Sequence, residues 1–199
     1  LPNFCTEAGC TGKPVEWVDR YSVSDLSREA TRANRPPNPL GFAEYDHLLS
    51  DVQPASELLP RGATPFDAPF VYRNQSMMFN IADYAHTLMA DFFAAGGEFK
   101  PMTFQSPSQI AALPQRVVIN CTGYGARALW KDESIVPVRG QIGWLIPQGE
   151  VTYGLSYRNV SVLSRTDGIV VQAVEGGDMK GYNDDREVID RTEAVNAVN

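Results

Sequence analysis

Cys121, Thr122 and Gly123 form the part of this 199-residue chain best suited to chemistry. They follow the apolar run Val117-Val118-Ile119 and precede Gly125-Ala126. A strand that breaks into a turn of small residues brings bare backbone to the surface. A side chain larger than hydrogen at Gly123 would hold a flat or anionic group off the main chain. Helix-start amides after the turn favour phosphate, so a phosphate-bearing dinucleotide could lie against this bend. Downstream, Arg139 sits in Val136-Pro137-Val138-Arg139-Gly140-Gln141. It adds a fixed positive charge and a fork of donors. A surface ion pair is its plainer use.

Gly123-Tyr124-Gly125-Ala126-Arg127-Ala128 also matches GxGxxA after a strand, the pattern of a dinucleotide fingerprint. The following helix is too short for that reading. A crossover needs about ten or more residues before the next strand, and Asp132 to Pro137 interrupts it. The alternative is a tight strand-to-helix turn that merely needs glycines.

The elements around the bend read in three parts. Residues 1–70 hold nine of the fourteen prolines, which disfavours long helices and central strands. A strand at Val15–Tyr21 and short helices at Asp25–Ala33 and Tyr45–Val52 are expected in an otherwise loop-rich covering segment. Asn80–Gly97 is the best helix, because Ile81, Tyr84, Ala85, Leu88, Met89, Phe92 and Phe93 share one face. Asn80 can cap its start and Gly96-Gly97 can end it. A strand is expected at Glu98–Phe104, bent or at an edge because of Pro101. Val117–Ile119 has the continuous apolar character of a strand covered on both faces. After Gly140 come strands at Gln141–Ile146, Val151–Tyr157, Val160–Ser164 and Ile169–Val174, with an Asp-Gly hairpin turn at Arg165–Gly168. Asp184–Val198 reads as a polar tail helix. The fold class is α/β (α+β).

Bulk numbers narrow the function. Hydrophobic content is 43% and charged content 21%, ordinary for a globular chain. A net charge of −7 repels a phosphate backbone, which argues against nucleic acid. No run of about 18 apolar residues occurs, so no membrane span is expected. Cys5 and Cys10 could bridge in an oxidising compartment; the plainer reading of Cys5, Cys10 and Cys121 is three free thiols of a cytoplasmic protein. The two histidines, His47 and His86, make no metal site by themselves, and solvation suits them better. The acidic run Asp178, Asp184, Asp185 and Glu187 is explained by solvation or helix capping.

Asn120-Cys121-Thr122-Gly123 with Gly125-Ala126, then Val136-Pro137-Val138-Arg139-Gly140-Gln141, resembles the D-amino-acid oxidase family of FAD-dependent oxidoreductases. The helix from Ile81 to Phe93 with its Gly96-Gly97 end is similar to the family segment before the bend. Ser164-Arg165-Thr166-Asp167-Gly168-Ile169-Val170-Val171 resembles a later hairpin of its substrate domain. The resemblance spans roughly Met77 to Gly177. It implies a partial FAD-binding α/β layer joined to an antiparallel substrate-binding sheet. The division would be 1–78 for a loop-rich part of the substrate or cap domain, 79–140 for part of the FAD-binding domain, and 141–199 for the substrate-binding sheet and tail helix.

The same resemblance implies a cofactor, FAD, and a small amine or amino-acid substrate oxidised to an imine and then a keto acid. The backbone at Phe104 would face the adenosine portion. Cys121, Thr122 and Gly123 would line the pyrophosphate or ribityl chain. Arg139, Gly140 and Gln141 would stand where the two layers join. Tyr153 and Tyr157, spaced i, i+4 on one face of a strand, are the nearest candidates for aromatic residues over the substrate; ordinary sheet packing is their alternative. The family opens with a GxGxxG turn and clamps the substrate carboxylate with an arginine in a C-terminal segment. Neither part is in this sequence, so an internal piece of a larger flavoenzyme is expected, weak in FAD binding by itself. No catalytic residue is assigned. Such a piece would expose apolar surface that a homodimer could hide. A non-catalytic binding or interaction module is the second reading.

Overall fold

A computed structural model describes residues 13–34, 45, 48, 54–174 and 179–198. The expected helix at Tyr45–Val52 falls largely outside this range, as do Cys5, Cys10, His47 and Asp178. The described residues build one seven-stranded open sheet with helices around it. The content is mixed α/β.

β1 (Val15–Ser24) is the organising strand. Its alternation sets Val15, Trp17, Asp19, Tyr21 and Val23 on one face and Glu16, Val18, Arg20, Ser22 and Ser24 on the other. β2 (Glu57–Leu58) is a short edge piece beside β3 (Phe70–Phe79). β3 runs antiparallel to β1 along its full length, from Val15↔Phe79 to Ser24↔Phe70. β1's other neighbour is β5 (Gly154–Tyr157), and that pairing is parallel, from Arg20↔Gly154 to Val23↔Tyr157. β6 (Val160–Arg165), β7 (Gly168–Ala173) and β4 (Gly143–Leu145) complete an antiparallel wing. The spatial order is β2-β3-β1-β5-β6-β7-β4.

Three expectations are corrected here. The proline-rich first part is not merely a cover, because its β1 lies inside the sheet, between β3 and β5. Its prolines stand outside β1 and β3, so both strands keep every ladder donor. The strands after Gly140 do pair antiparallel as expected, but they are not a sheet of their own, because β5 also pairs in parallel with β1 across a long crossover. Finally, 98–104 and 117–119 are irregular, not strands. No described strand lies beside either run, and an apolar run without a partner has no ladder to join. Val117 and Ile119 are 79% and 82% exposed.

The main core sits on one sheet face. Ile169 and Val171 are buried with Ala197 of α5 (Arg191–Val198), and Leu145, Val151, Val160, Val162 and Ala173 close around them. α1 (Arg28–Ala33) is capped by Ser27, whose hydroxyl accepts from the Ala30 amide at 3.2 Å. Tyr72 of β3 accepts from the Arg28 amide at 3.1 Å, and the Arg28 guanidinium lies over its ring.

α2 (Ile81–Ala94) forms where the apolar spacing predicts, and the Gly97 amide closes its end on the Phe92 carbonyl. Gly96, at φ +84°, supplies the left-handed turn. Ile81, Leu88, Met89, Phe92 and Phe93 of its apolar face are exposed. Asn80 does not cap this helix through its side chain. It is 1% exposed and used elsewhere. Its amide nitrogen donates to the Lys13 carbonyl at 2.6 Å and to Glu16 at 3.0 Å. Its side-chain oxygen accepts from the Thr166 amide at 3.2 Å. One side chain thus ties the start of β1, the end of β3 and the β6–β7 turn.

Candidate functional site

The bend at Asn120–Gly125 is exposed on every residue. Thr122 folds onto its own segment, its hydroxyl donating to Asn120 Oδ1 at 2.8 Å. The Gly125 amide donates to the Thr122 carbonyl at 3.1 Å, making a 3-10 turn of Gly123–Gly125. Gly123 sits at φ +55°, in the left-handed region, where a Cβ would meet open space. Glycine is needed there for conformation, and the same choice leaves the main chain bare on its outer side. Cys121 is an exposed free thiol.

After the short α3 (Pro107–Ala111), the bend runs into α4 (Ala126–Trp130), whose Ala126 and Leu129 are buried. Lys131 ends α4 at φ 55°. Arg127 then staples the following loop, donating to the carbonyls of Glu133 at 3.0 Å and Ile135 at 2.5 Å. In that loop Asp132 accepts from the Ser134 hydroxyl and amide, which holds its carboxyl below the usual range. With five residues, α4 has only a weak dipole to offer an anion.

Arg139 and Gln141 are tied up. Arg139 donates to Gln141 Oε1 at 2.9 Å and to the Val188 carbonyl at 3.0 Å. It pairs with Glu193 at 3.4 Å, and both side chains are nearly covered, at 15% and 16% exposure. Lys180 approaches the same carboxylate at 2.9 Å. Gln141 donates to the Asp190 carbonyl at 2.8 Å and accepts from the Asp190 amide at 2.7 Å. The Arg139 amide donates to the Gly181 carbonyl at 2.9 Å. These groups fasten the tail to the sheet, so their side chains are not free donors for a nucleotide. Gly140 remains exposed between them.

Of the sequence-predicted residues, Arg139, Gly140 and Gln141 line a groove of about 510 Å³, whereas Cys121, Thr122 and Gly123 are not among its lining residues. Tyr124 of the bend lines it together with Arg139, Gly140, Gln141 and the tail from Asp184 to Ile189. A second groove, about 430 Å³, opens on the other side of Arg139 towards Gln172 and Lys180. Phe104 is half-buried in the irregular 98–104 segment.

The two tyrosines have different surroundings. Tyr153 precedes β5 and packs edge-on against Tyr21 at 5.6 Å between centroids, with Phe66 at 6.3 Å. Tyr157 ends β5, donating to Asp25 at 3.2 Å beneath the Arg158 guanidinium. Among the described residues there is no group of three or more metal-binding side chains and no helix long and apolar enough to cross a membrane. His86 is exposed.

The residues present fit a nucleotide in part. A bare main chain with a left-handed glycine suits close approach at Cys121–Gly123. The side chains of Arg139 and Gln141, as held here, shape the neighbouring groove instead of donating into it.

No protein-family model matches the chain. A D-amino acid oxidase from Dugesia ryukyuensis is 33% identical over 81 residues, which is 40% of this chain. The matched stretch is 24% of that relative's length, so the likeness covers about a quarter of it. Similarity to an oxidoreductase is therefore established for part of the chain.

Proposed function

We propose that this chain is part of an FAD-dependent oxidoreductase that oxidises an amine or amino acid, in the manner of a D-amino-acid oxidase. The observation that carries the reading is the 33% identity to such an oxidase over 81 residues. The exposed bend at Cys121–Gly123 supports it, because a flavin nucleotide needs main chain it can approach closely. Bound there, FAD would supply the acceptor for a hydride from the carbon bearing the amine; the imine hydrolyses to a keto acid and ammonia, and oxygen takes up the electrons.

This chain's own contribution is binding and shape. Cys121, Thr122 and Gly123 would hold the cofactor through their main chain. Gly140 would leave room at the join, while Arg139 and Gln141 keep the tail against the sheet and define the groove wall. Phe104 belongs to the same reading as an adenosine contact, and Tyr153 and Tyr157 as the aromatic side of the substrate sheet. The exposed apolar residues of α2 and of Val117–Ile119 are, in this reading, surfaces that other parts of the enzyme cover. A cytoplasmic setting accompanies it, in keeping with an exposed free thiol at Cys121.

The test uses the protein purified from its native cells. The reading expects the two-band visible spectrum of an oxidised flavin, bleached without oxygen by an amino acid. It also expects alkylation of Cys121, followed by peptide mass spectrometry, to run several-fold slower in the flavin-loaded protein than after flavin is stripped. A colourless protein overturns the flavin reading. Equal alkylation rates overturn the bend as its site.

A further inference from the structure

We infer that Arg20, Ser22, Ser156 and Ser161 form a binding site for the carboxylate of a small organic acid on the sheet face opposite the main core. The register brings these residues together from three strands. Arg20 and Ser22 are successive residues on one face of β1, opposite Gly154 and Ser156 of β5. Ser156 is in turn opposite Ser161 of β6. The three hydroxyls therefore stand side by side across the strands. Those of Ser22 and Ser156 share a hydrogen bond at 3.3 Å.

Gly154 explains how the arginine reaches them. It is buried, and a Cβ built on it would lie 3.4 Å from Arg20 Cγ and 3.3 Å from Leu163 Cδ1. With no side chain on Gly154, the Arg20 stem lies over β5 and its Nη2 donates to Ser161 Oγ at 3.2 Å. That hydroxyl is its sole hydrogen-bond or ion-pair partner among the described residues. A guanidinium has five N–H donors in a rigid fork, so most stay available. Arg20 is half-buried, where a cation without a counter-charge is costly. Nearby carboxylates are taken: Glu16 accepts from Asn80 at 3.0 Å, and Asp19, on the opposite face, lies 3.9 Å from Arg73. A ligand carboxylate would accept two parallel bonds from the fork, and the hydroxyls would supply further donors beside it. The site does not depend on where a flavin binds.

Acetate and inorganic phosphate are titrated into the chain separately at constant ionic strength, with chloride as balance, while the guanidinium and backbone N–H resonances are followed by NMR. The inference expects saturable shifts at Arg20, Ser156 and Ser161 with acetate. Arg20→Met should weaken binding at least tenfold. Arg20→Lys keeps the charge but loses the fork and should weaken it several-fold, with the amide dispersion of the β6–β7 hairpin reporting that both variants are folded. Ser161→Ala, a milder change, should weaken it less. Shifts that never saturate, or that persist unchanged in Arg20→Lys and Ser161→Ala, overturn the site. Tighter binding of phosphate than acetate overturns the ligand class.

Discussion

Replacing Asn80 with alanine tests whether one buried amide holds the two ends of the sheet together. The side chain makes three hydrogen bonds, to Lys13, Glu16 and Thr166, from a position 1% exposed. Each is worth about 1 kcal/mol net, and a partner left without water costs more. The expected loss is about 3 kcal/mol. The apolar part removed is small, so cavity formation adds little. In urea, with a slope of about 2–3 kcal/mol per molar, the midpoint should fall by about 1–1.5 M at unchanged slope. Asn80→Leu should give no rescue, since it fills space and satisfies none of the three groups. Asn80→Asp keeps an acceptor for Thr166 but sets a second carboxylate beside Glu16. It should be less stable than the parent at neutral pH and recover partly as acid neutralises the pair. A loss under about 1 kcal/mol in Asn80→Ala would refute the reasoning, as water would then be replacing the amide.

Arg139→Ala should remove the bonds to Glu193, Gln141 and the Val188 carbonyl together, and hydrogen exchange in α5 should speed up at least tenfold; unchanged exchange would show that Lys180, the Gln141–Asp190 bonds and Ala197 hold α5 without it. Gly181 and Gly96 both have positive φ, at +74° and +84°, but a Cβ at Gly181 would run into the Arg139 carbonyl whereas one at Gly96 meets open space. Gly181→Ala should therefore cost about 2 kcal/mol more than Gly96→Ala in denaturant unfolding. The hydrogen bonds of Arg186 hold the Asp184 carboxyl well below its ordinary value. Its stabilising effect is then present above the unfolded carboxylate value of about 4 and fades as pH falls below it. Arg186→Gln should lower stability near neutrality and flatten the stability-against-pH curve in that acid range, so that parent and variant converge at low pH.

Local signals were legible where neighbours in sequence decide the outcome. The apolar spacing of α2, the Asp167-Gly168 turn and the alternation of β6 and β7 all led to the right elements. Pairing partners were not legible. Phe70–Phe79 mixes Arg73, Asn74 and Gln75 into its run, so its strand character is hidden until β1 lies alongside. The opposite error came at Val117–Ile119, where an apolar run has strand composition and no neighbour. Asn80 reads as a helix cap because a cap needs only the following residues; its actual partners are 67, 64 and 86 positions away. At the candidate site the left-handed glycine bend was readable from residue types. For Arg139 an ion pair was readable as its plainer use, but its partner Glu193, like the Asp190 that holds Gln141, lies about fifty residues on and was not. Arg20 was missed because its significance depends on serines more than 130 residues downstream, and the one available hint was its place beside Ser22 in a half-buried strand.

The parallel β1–β5 joint has a consequence for how the molecule comes apart and together. Among the described residues, 15–79 supply β1–β3 and 143–173 supply β4–β7, and the ladder between these sets is only four residue pairs long. The intervening 80–142 adds no strand. During synthesis the first set must wait, edge unpaired, until more than seventy further residues have been made. Two separately produced polypeptides, divided within the irregular stretch before Gly123, should recombine into one sheet through that short seam.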